Sequence, residues 1–323
     1  PRNFILCTDD CHSVTLVHDG HMDRVVRHAI DCGCDPLIAL QMATINTASH
    51  FGLERELGSV APGRRADMIL TGDLVSLPIE VVYARGNKVA ENGRLTTDCP
   101  HYKWPKASKN TVHLGKVLAQ TDFEIPAPKQ AQTVTAKVIG VVENQAPTKA
   151  LNADLPVVNG LVEPNKDICQ IALVERHRGT GAVTNAFVSG FGYQGTMAIA
   201  STVAHDSHHM IVVGTDRVMM AAAVNRLGAI GGGVPVWKDG HEIGVVELPI
   251  AGLMSDRPAA EVAAAAQTIL QAMQACGCSL NNAFMQHSLL ALVVIPELRI
   301  SDLGLVDVTK FAITDLIEAA EQK

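Results

Sequence analysis

The spacing of hydrophobic and polar positions along this chain changes character more than once, and each change predicts a different kind of element. A short apolar run, Asn3-Phe4-Ile5-Leu6-Cys7, leads into Thr8-Asp9-Asp10, so residues 1–10 read as a buried parallel strand ending at an acidic pair. His12 to Gly20 reads as a polar loop. From His21 to Cys32 the apolar residues Met22, Val25, Val26, Ala29 and Ile30 fall on one helical stripe, and Gly33 suits the helix end. A second helix is expected after Asp35, with Pro36 in its first turn, and a third across Asn46–Leu53. Between Gly58 and Leu95 the period shortens to that of strands. Met68-Ile69-Leu70 and Val81-Val82-Tyr83-Ala84 read as short strands, and Arg85-Gly86-Asn87-Lys88 as the hairpin turn that leads into Val89-Ala90-Glu91.

Residues 97–130 are polar and carry Pro100, Pro105, Pro126 and Pro128, which suits a connecting arm or a domain boundary. Strand-like segments then recur at Gln132–Val142, Ile168–Glu175, Thr196–Ala204 and Met210–Val213. A helix is expected at Arg217–Leu227 and a hairpin about Asp239-Gly240. An Ala-rich helix from Ala259 and a final apolar strand, Leu289–Ile295, close the pattern. Strands mixed with helices predict an α+β or α/β unit.

Composition narrows the chemistry. Apolar residues make up 47% of the 323, enough for more than one core, while the net charge is −7 and aromatics are 4%. Charges are interspersed and base-stacking side chains are scarce, which argues against nucleic acid and against a membrane surface. No apolar run reaches the roughly 20 residues of a membrane-spanning helix. Eight cysteines, at 7, 11, 32, 34, 99, 169, 276 and 278, include no C-x2-C pair, so reduced thiols and a cytoplasmic setting are expected.

Four groups of residues could carry chemistry. Asp9 and Asp10 stand where a (β/α)8 barrel keeps its reactive groups, at the C-terminal tip of a strand; there a carboxylate can ligate a metal or take a proton from metal-bound water. The alternative is a capping role for Asp9. His205-Asp206-Ser207-His208-His209 places three histidines and a carboxylate between two apolar strands, which suits either a loop reaching an active site or an internally paired cluster. Gly190-Phe191-Gly192-Tyr193-Gln194-Gly195 matches a dinucleotide fingerprint by letter, but a strand-like run follows where a helix is required, so tight turns explain it. Finally, Glu143-Asn144 and Arg176-His177-Arg178-Gly179-Thr180-Gly181 put charges at strand ends, as a functional group or a Glu–Arg network.

These motifs carry a resemblance. Thr8-Asp9-Asp10, Ala43-Thr44-Ile45-Asn46-Thr47-Ala48 and Gly58 through Leu70 resemble the closing portion of the amidohydrolase superfamily. Val141-Val142-Glu143-Asn144, His177-Arg178-Gly179-Thr180-Gly181, Ala204-His205-Asp206-Ser207-His208 and Leu248 through Ser255 resemble the C-terminal domain of the adenine deaminase family. The resemblance implies the end of a (β/α)8 barrel over 1–55, a small β-sandwich portion and arm over 56–130, and an α+β domain over 131–323. It implies hydrolysis of adenine to hypoxanthine and ammonia at a binuclear manganese or iron centre, with the purine base as substrate and a homo-oligomeric protein. Asp9 is then the metal ligand and Asp10 a catalytic neighbour. The loop of His205, Asp206 and His208, with Arg178, is read separately as a lid over the substrate, or else as side chains that satisfy one another and Glu143 within the domain. The family's other ligands, an H-x-H pair, a bridging glutamate and further histidines, have no counterpart here. The chain is therefore expected to be an incomplete C-terminal portion, inactive without a missing N-terminal barrel half. Another amidohydrolase acting on a cyclic amide or amine, or a non-catalytic oligomerisation module, are the alternatives.

Overall fold

A computed structural model describes residues 3–99, 102–165 and 167–322, and divides the chain into two compact units, 1–103 and 104–323. Pro1, Arg2 and Pro100 lie outside the described residues. The architecture is a mixture of α and β.

The first unit begins with helices α1 (Ser13–His18), α2 (Met22–Asp31), α3 (Pro36–Ala43) and α4 (Ile45–His50). The stripe read on α2 is real: Val26 and Ile30 are buried against Ala39 of α3 and Leu77. Asp35 caps α3 by accepting from the Leu37 and Ile38 amides at 3.0 and 3.2 Å, with Pro36 at the first helical position. Strands β1 (Met68–Thr71), β2 (Ile79–Ala84), β3 (Asn87–Glu91) and β4 (Arg94–Leu95) then form an antiparallel sheet in sequence order. Its two tight turns, Arg85-Gly86 and Asn92-Gly93, hold both central residues at positive φ, the geometry that matches strand twist.

Two expectations fail here. Residues 3–10 form no strand, and Phe4 is 69% exposed. A parallel strand needs a neighbour to take its backbone groups. This segment is instead tied down by Leu6 N–H donating to the Met42 carbonyl and by the Asn46 amide donating to the Phe4 carbonyl. The polar loop expected over His12–Gly20 contains α1, started by His12, whose Nδ1 accepts from the Val14 amide at 3.4 Å.

The second unit is built on a ten-stranded mixed sheet. Its members are β5 (Ala131–Gly140), β6 (Lys149–Val158), β7 (Leu161–Val162), β8 (Ile168–Val174), β9 (Val183–Ser189), β10 (Met197–Ser201) and β11 (Met210–Gly214). Helix α5 (Arg217–Ile230) follows, then β12 (Gly233–Lys238) and β13 (His241–Glu247). Helices α6 (Ala259–Ala275) and α7 (Ala283–Leu289) precede a three-stranded sheet of β14 (Leu298–Ser301), β15 (Gly304–Asp307) and β16 (Ala312–Thr314). Strand β17 (Ile317–Gln322) returns to pair with β5. The order across the large sheet is β13-β12-β10-β11-β8-β9-β5-β6-β7, antiparallel except between β5 and β9.

Burial explains the sequence pattern. β10 and β11 are buried at every position, which is why they read as unbroken apolar runs. Met219, Met220, Ala223, Val224 and Leu227 of α5 cover one face of these strands, against Ala198, Ala200, Met210 and Val212. Asp216 caps that helix by accepting from the Met219 amide at 2.9 Å. A second core sits around β5 and β6, with Val134, Val138, Leu155 and Phe187. The proline-bearing arm is no loose tether beyond Trp104. Leu118 and Phe123 are buried in the first of these cores and Ile125 in the second.

Leu289–Ile295, expected as a strand, is the end of α7 and a turn. Short apolar runs cannot distinguish a buried helix from a buried strand. What bends this one is Arg299, a buried side chain donating to the carbonyls of Leu289 and Ile295 at 2.8 and 2.9 Å. The fingerprint-like loop is explained as turns: Gly190 and Gly192 amides both donate to the Asp167 carboxylate at 3.0 Å.

Candidate functional site

The densest polar cluster of the second unit gathers two loops, 175–180 after β8 and 204–209 before β11. Glu175 organises the first. Its Oε1 accepts from the His177 amide and, at 2.7 Å, from the Arg178 amide, and its Oε2 accepts from the Thr180 amide and hydroxyl at 3.0 Å each. Burial alone would raise the pKa of this carboxyl, but the four donors outweigh it and hold the group at about 2. The chain turns around a charge held in place. Gly179 and Gly181 take positive φ in that turn, and a side chain on Gly115 would collide with the Gly179 carbonyl.

Arg176 organises the second loop. It is 2% exposed and spends its guanidinium on carbonyls: Nε donates to His208, Nη1 to Thr111 at 3.3 Å and Nη2 to Ala251 at 3.1 Å. Burial lowers its pKa. The approach of the 249–254 turn is possible only because position 252 is glycine, where a Cβ would sit 2.6 Å from Nη1. Thr202, fully buried, fixes the same turn by donating to the Gly252 carbonyl and accepting from the Gly233 amide at 2.8 Å.

The histidines complete the cluster. Ala204 and His208 exchange two hydrogen bonds: the His208 amide donates to the Ala204 carbonyl at 2.7 Å, and the Ala204 amide donates to His208 Nδ1 at 3.3 Å. His208 Nδ1 is therefore an acceptor, and burial lowers the ring's pKa. His177 Nε2 donates to the Ser207 carbonyl at 2.7 Å, joining the two loops directly. Its ring lies 4.7 Å from that of His209, which is buried and stands 3.6 Å from Asp302. Burial pushes His209 down as well. The His205 and His208 rings are 5.5 Å apart, and the His205 amide donates to the Ser288 carbonyl at 3.1 Å. Hydrogen bonds and close ring pairs thus gather these side chains over one buried cation, Arg176.

Of the residues singled out by sequence, His205, Asp206 and His208 share the 204–209 loop, and Arg178 stands on the loop tied to it. Arg178 and Asp206 are exposed. Asp9 and Asp10 belong to the first unit, both exposed; Asp9 has φ 51° and its Oδ1 accepts from the Asp10 amide at 2.8 Å. Glu143 is not part of the cluster; its Oε1 accepts from the Asn281 amide at 3.1 Å. The residues that sequence reasoning passed over are Glu175 and Asp302; Arg176, read as one side of a Glu–Arg network or a functional group, bonds backbone carbonyls instead. A cavity of about 230 Å³ beside α5 lies among other residues, where Arg217 pairs with Glu163 at 2.8 Å. Among the described residues no group of three or more His, Cys, Asp or Glu side chains is arranged to hold a metal ion.

Comparison with known proteins places this geometry. Residues 2–89 match the amidohydrolase family, and residues 145–312, which hold both loops, match the adenine deaminase C-terminal domain. A protein of Ruegeria pomeroyi named adenine deaminase is 74% identical over 321 residues, covering 98% of this chain and 53% of its own length. Its namesake in Paracoccus denitrificans is 71% identical over 317 residues, and that in Moorella thermoacetica 43% over 318, each with the same coverage. The chain thus spans about half the length of the curated relatives it matches. With more than half of its residues inside that match, the chain belongs to the adenine deaminase C-terminal domain family.

Proposed function

We propose that this chain serves the hydrolytic deamination of adenine to hypoxanthine and ammonia, as a portion of a protein of its relatives' length. The observation that carries the reading is the 74% identity, over nearly the whole chain, to a protein named adenine deaminase. The amidohydrolase match suggests a metal cofactor. The described residues do not form a site for one by themselves, since the carboxylate of Asp9 is exposed and no third ligand-capable group joins it. A single carboxylate cannot fix an ion and leave an open position, so the residues of this chain do not fit such a cofactor unaided.

Within this reading Asp9 is the carboxylate contributed to a centre completed elsewhere, of manganese or iron, with Asp10 beside it. In a protein of full length, Asp9→Asn should lower adenine turnover by on the order of a thousandfold or more and reduce bound metal. Near-normal turnover would remove Asp9 from the reaction. Residues 1–323 alone should not deaminate adenine even with manganese or iron added, and measurable hypoxanthine from the purified chain would overturn that.

The loop of His205, Asp206 and His208, with Arg178, is the proposed substrate contact of the second unit. Arg176 and His177 hold the loop from within, which leaves Asp206 and Arg178 on its solvent side. Replacing His205 or His208 by Asn, singly, separates this from a purely structural role. A loss of kcat/KM at unchanged melting temperature supports contact with the purine, whereas lowered melting with intact kinetics leaves only the loop's scaffold.

A further inference from the structure

Backbone amides turned toward one point make an anion-binding concavity, the arrangement by which proteins hold phosphates and free carboxylates. The loop that leaves β8 has this form, and its anion is its own. The amides of His177, Arg178 and Thr180 and the Thr180 hydroxyl all donate to the Glu175 carboxylate. The capping aspartates of the same chain gather fewer donors: Asp35 accepts from two amides and Asp216 from one. The loop is also fixed at both ends by bonds that do not involve this carboxylate. The Glu175 amide donates to the Ala182 carbonyl at 3.0 Å, the His113 amide donates to the Arg176 carbonyl at 2.8 Å, and the His177 ring reaches the Ser207 carbonyl. The concavity should therefore keep its shape without the side chain. It is within reach of solvent, since His177, Arg178 and Thr180 are all exposed.

We propose that residues 175–181 are a binding site for a small carboxylate anion, filled in this chain by the Glu175 side chain and open to a free carboxylate once that side chain is removed. The fit is set by atoms. Alanine at position 175 deletes Cγ, Cδ and both oxygens, which together have the shape of acetate. Glycine deletes Cβ as well, and the missing piece becomes propionate. In either variant the amides of 177, 178 and 180 lose their acceptor, and a carboxylate that returns to them restores charge-assisted hydrogen bonds. Glutamine at 175 is different, because it keeps the concavity full while removing the charge.

Melting of the purified chain at neutral pH reads this without any turnover. Glu175→Ala should melt below the parent, and acetate should raise its melting temperature in a saturable way, with a dissociation constant on the order of 10 mM. Chloride at equal ionic strength should not. Glu175→Gly should respond to propionate more than to acetate. The parent and Glu175→Gln, whose concavities are occupied, should respond to acetate no more than to chloride. Hydrogen exchange locates the effect: the peptide spanning 176–181 should lose protection in Glu175→Ala and regain it with acetate. A response to acetate equalled by chloride, a response shared by Glu175→Gln, or a Glu175→Gly variant that prefers acetate would each overturn the proposal, as would protection regained everywhere except 176–181. If Glu175→Ala does not fold alone, refolding in acetate but not in chloride supports the site, and failure in both overturns it.

Discussion

The two units bury their apolar residues to very different extents. In the second, β8, β10 and β11 are interior strands and α5 lies across them. In the first, Val26, Ile30, Ala39 and Leu77 form a small cluster, while Phe4, Leu37, Phe51, Val60, Val75 and Leu95 face solvent. Within this chain, then, the first unit is held chiefly by local devices, namely helix caps, tight turns and a few side-chain bonds. The second is held by a core. Stability should differ accordingly, because local bonds open singly while a packed core opens as a whole.

Hydrogen exchange offers the largest contrast. Amides of β8, β10 and β11 should exchange more slowly than those of α1–α4 and β1–β4 by about three orders of magnitude or more. Equal protection would show that the first unit is as cooperative as the second. Point substitutions sharpen the same difference. Leu173→Ala, at a buried position of β8, should cost about 2–5 kcal/mol, whereas Leu37→Ala, on the exposed side of α3, should stay within about 0.5 kcal/mol. Both tryptophans, Trp104 and Trp237, belong to the second unit, so their fluorescence follows its unfolding separately. A Leu37→Ala loss as large as that of Leu173→Ala would erase the distinction.

Polar interior groups give smaller effects. Glu175→Gln should destabilise the second unit by about 1–3 kcal/mol at neutral pH. Because the folded carboxyl sits at about 2, below its ordinary value near 4.3, the contribution is complete above about pH 4.3 and is lost as pH falls toward 2. The Gln variant should lack that acid-sensitive part. His287 works in the same direction at higher pH. Burial pushes its pKa down to about 4, against a smaller opposing effect from the Ile199 backbone. The unfolded chain therefore takes up a proton that the folded chain refuses, and stability is full above about pH 6.5 and falls on acidification toward 4. His287 alone should contribute at most about 1.4 kcal/mol per pH unit, on top of what His208 and His209 add in the same direction, and a His287→Phe variant should reduce the slope by that share. A parent chain with pH-independent melting between 6.5 and 4 would show that His287 is protonated when folded.

The same division decides what could be read in the sequence. Elements whose signals are local were legible: α2 from its stripe, α3 from Asp35-Pro36, the turns at Arg85-Gly86 and Asp239-Gly240, and α5 from its period. β6 was not, because Lys149–Val158 shows one side to solvent and its pairing partner is fixed by tertiary contact. The strand over 3–10 failed since strand character belongs to a pair, and no apolar run states whether its neighbour is present. At the candidate site, the 204–209 loop stood out through its histidines. Glu175 did not, because a carboxylate that only folds its own loop leaves no spacing to notice; the single clue was His-Arg-Gly-Thr-Gly just behind it, with glycines where amides must converge.

Gly252 has a consequence for anyone who surveys variants of this protein in bulk. It has no side chain, yet any replacement would press on the Arg176 guanidinium and, through it, on the carbonyls of Thr111, His208 and Ala251. In a saturation library scored by growth, position 252 should read as intolerant as a reactive residue. Its intolerance would report steric clearance, and a ranking of positions by fitness alone would place it, mistakenly, among the groups that touch substrate.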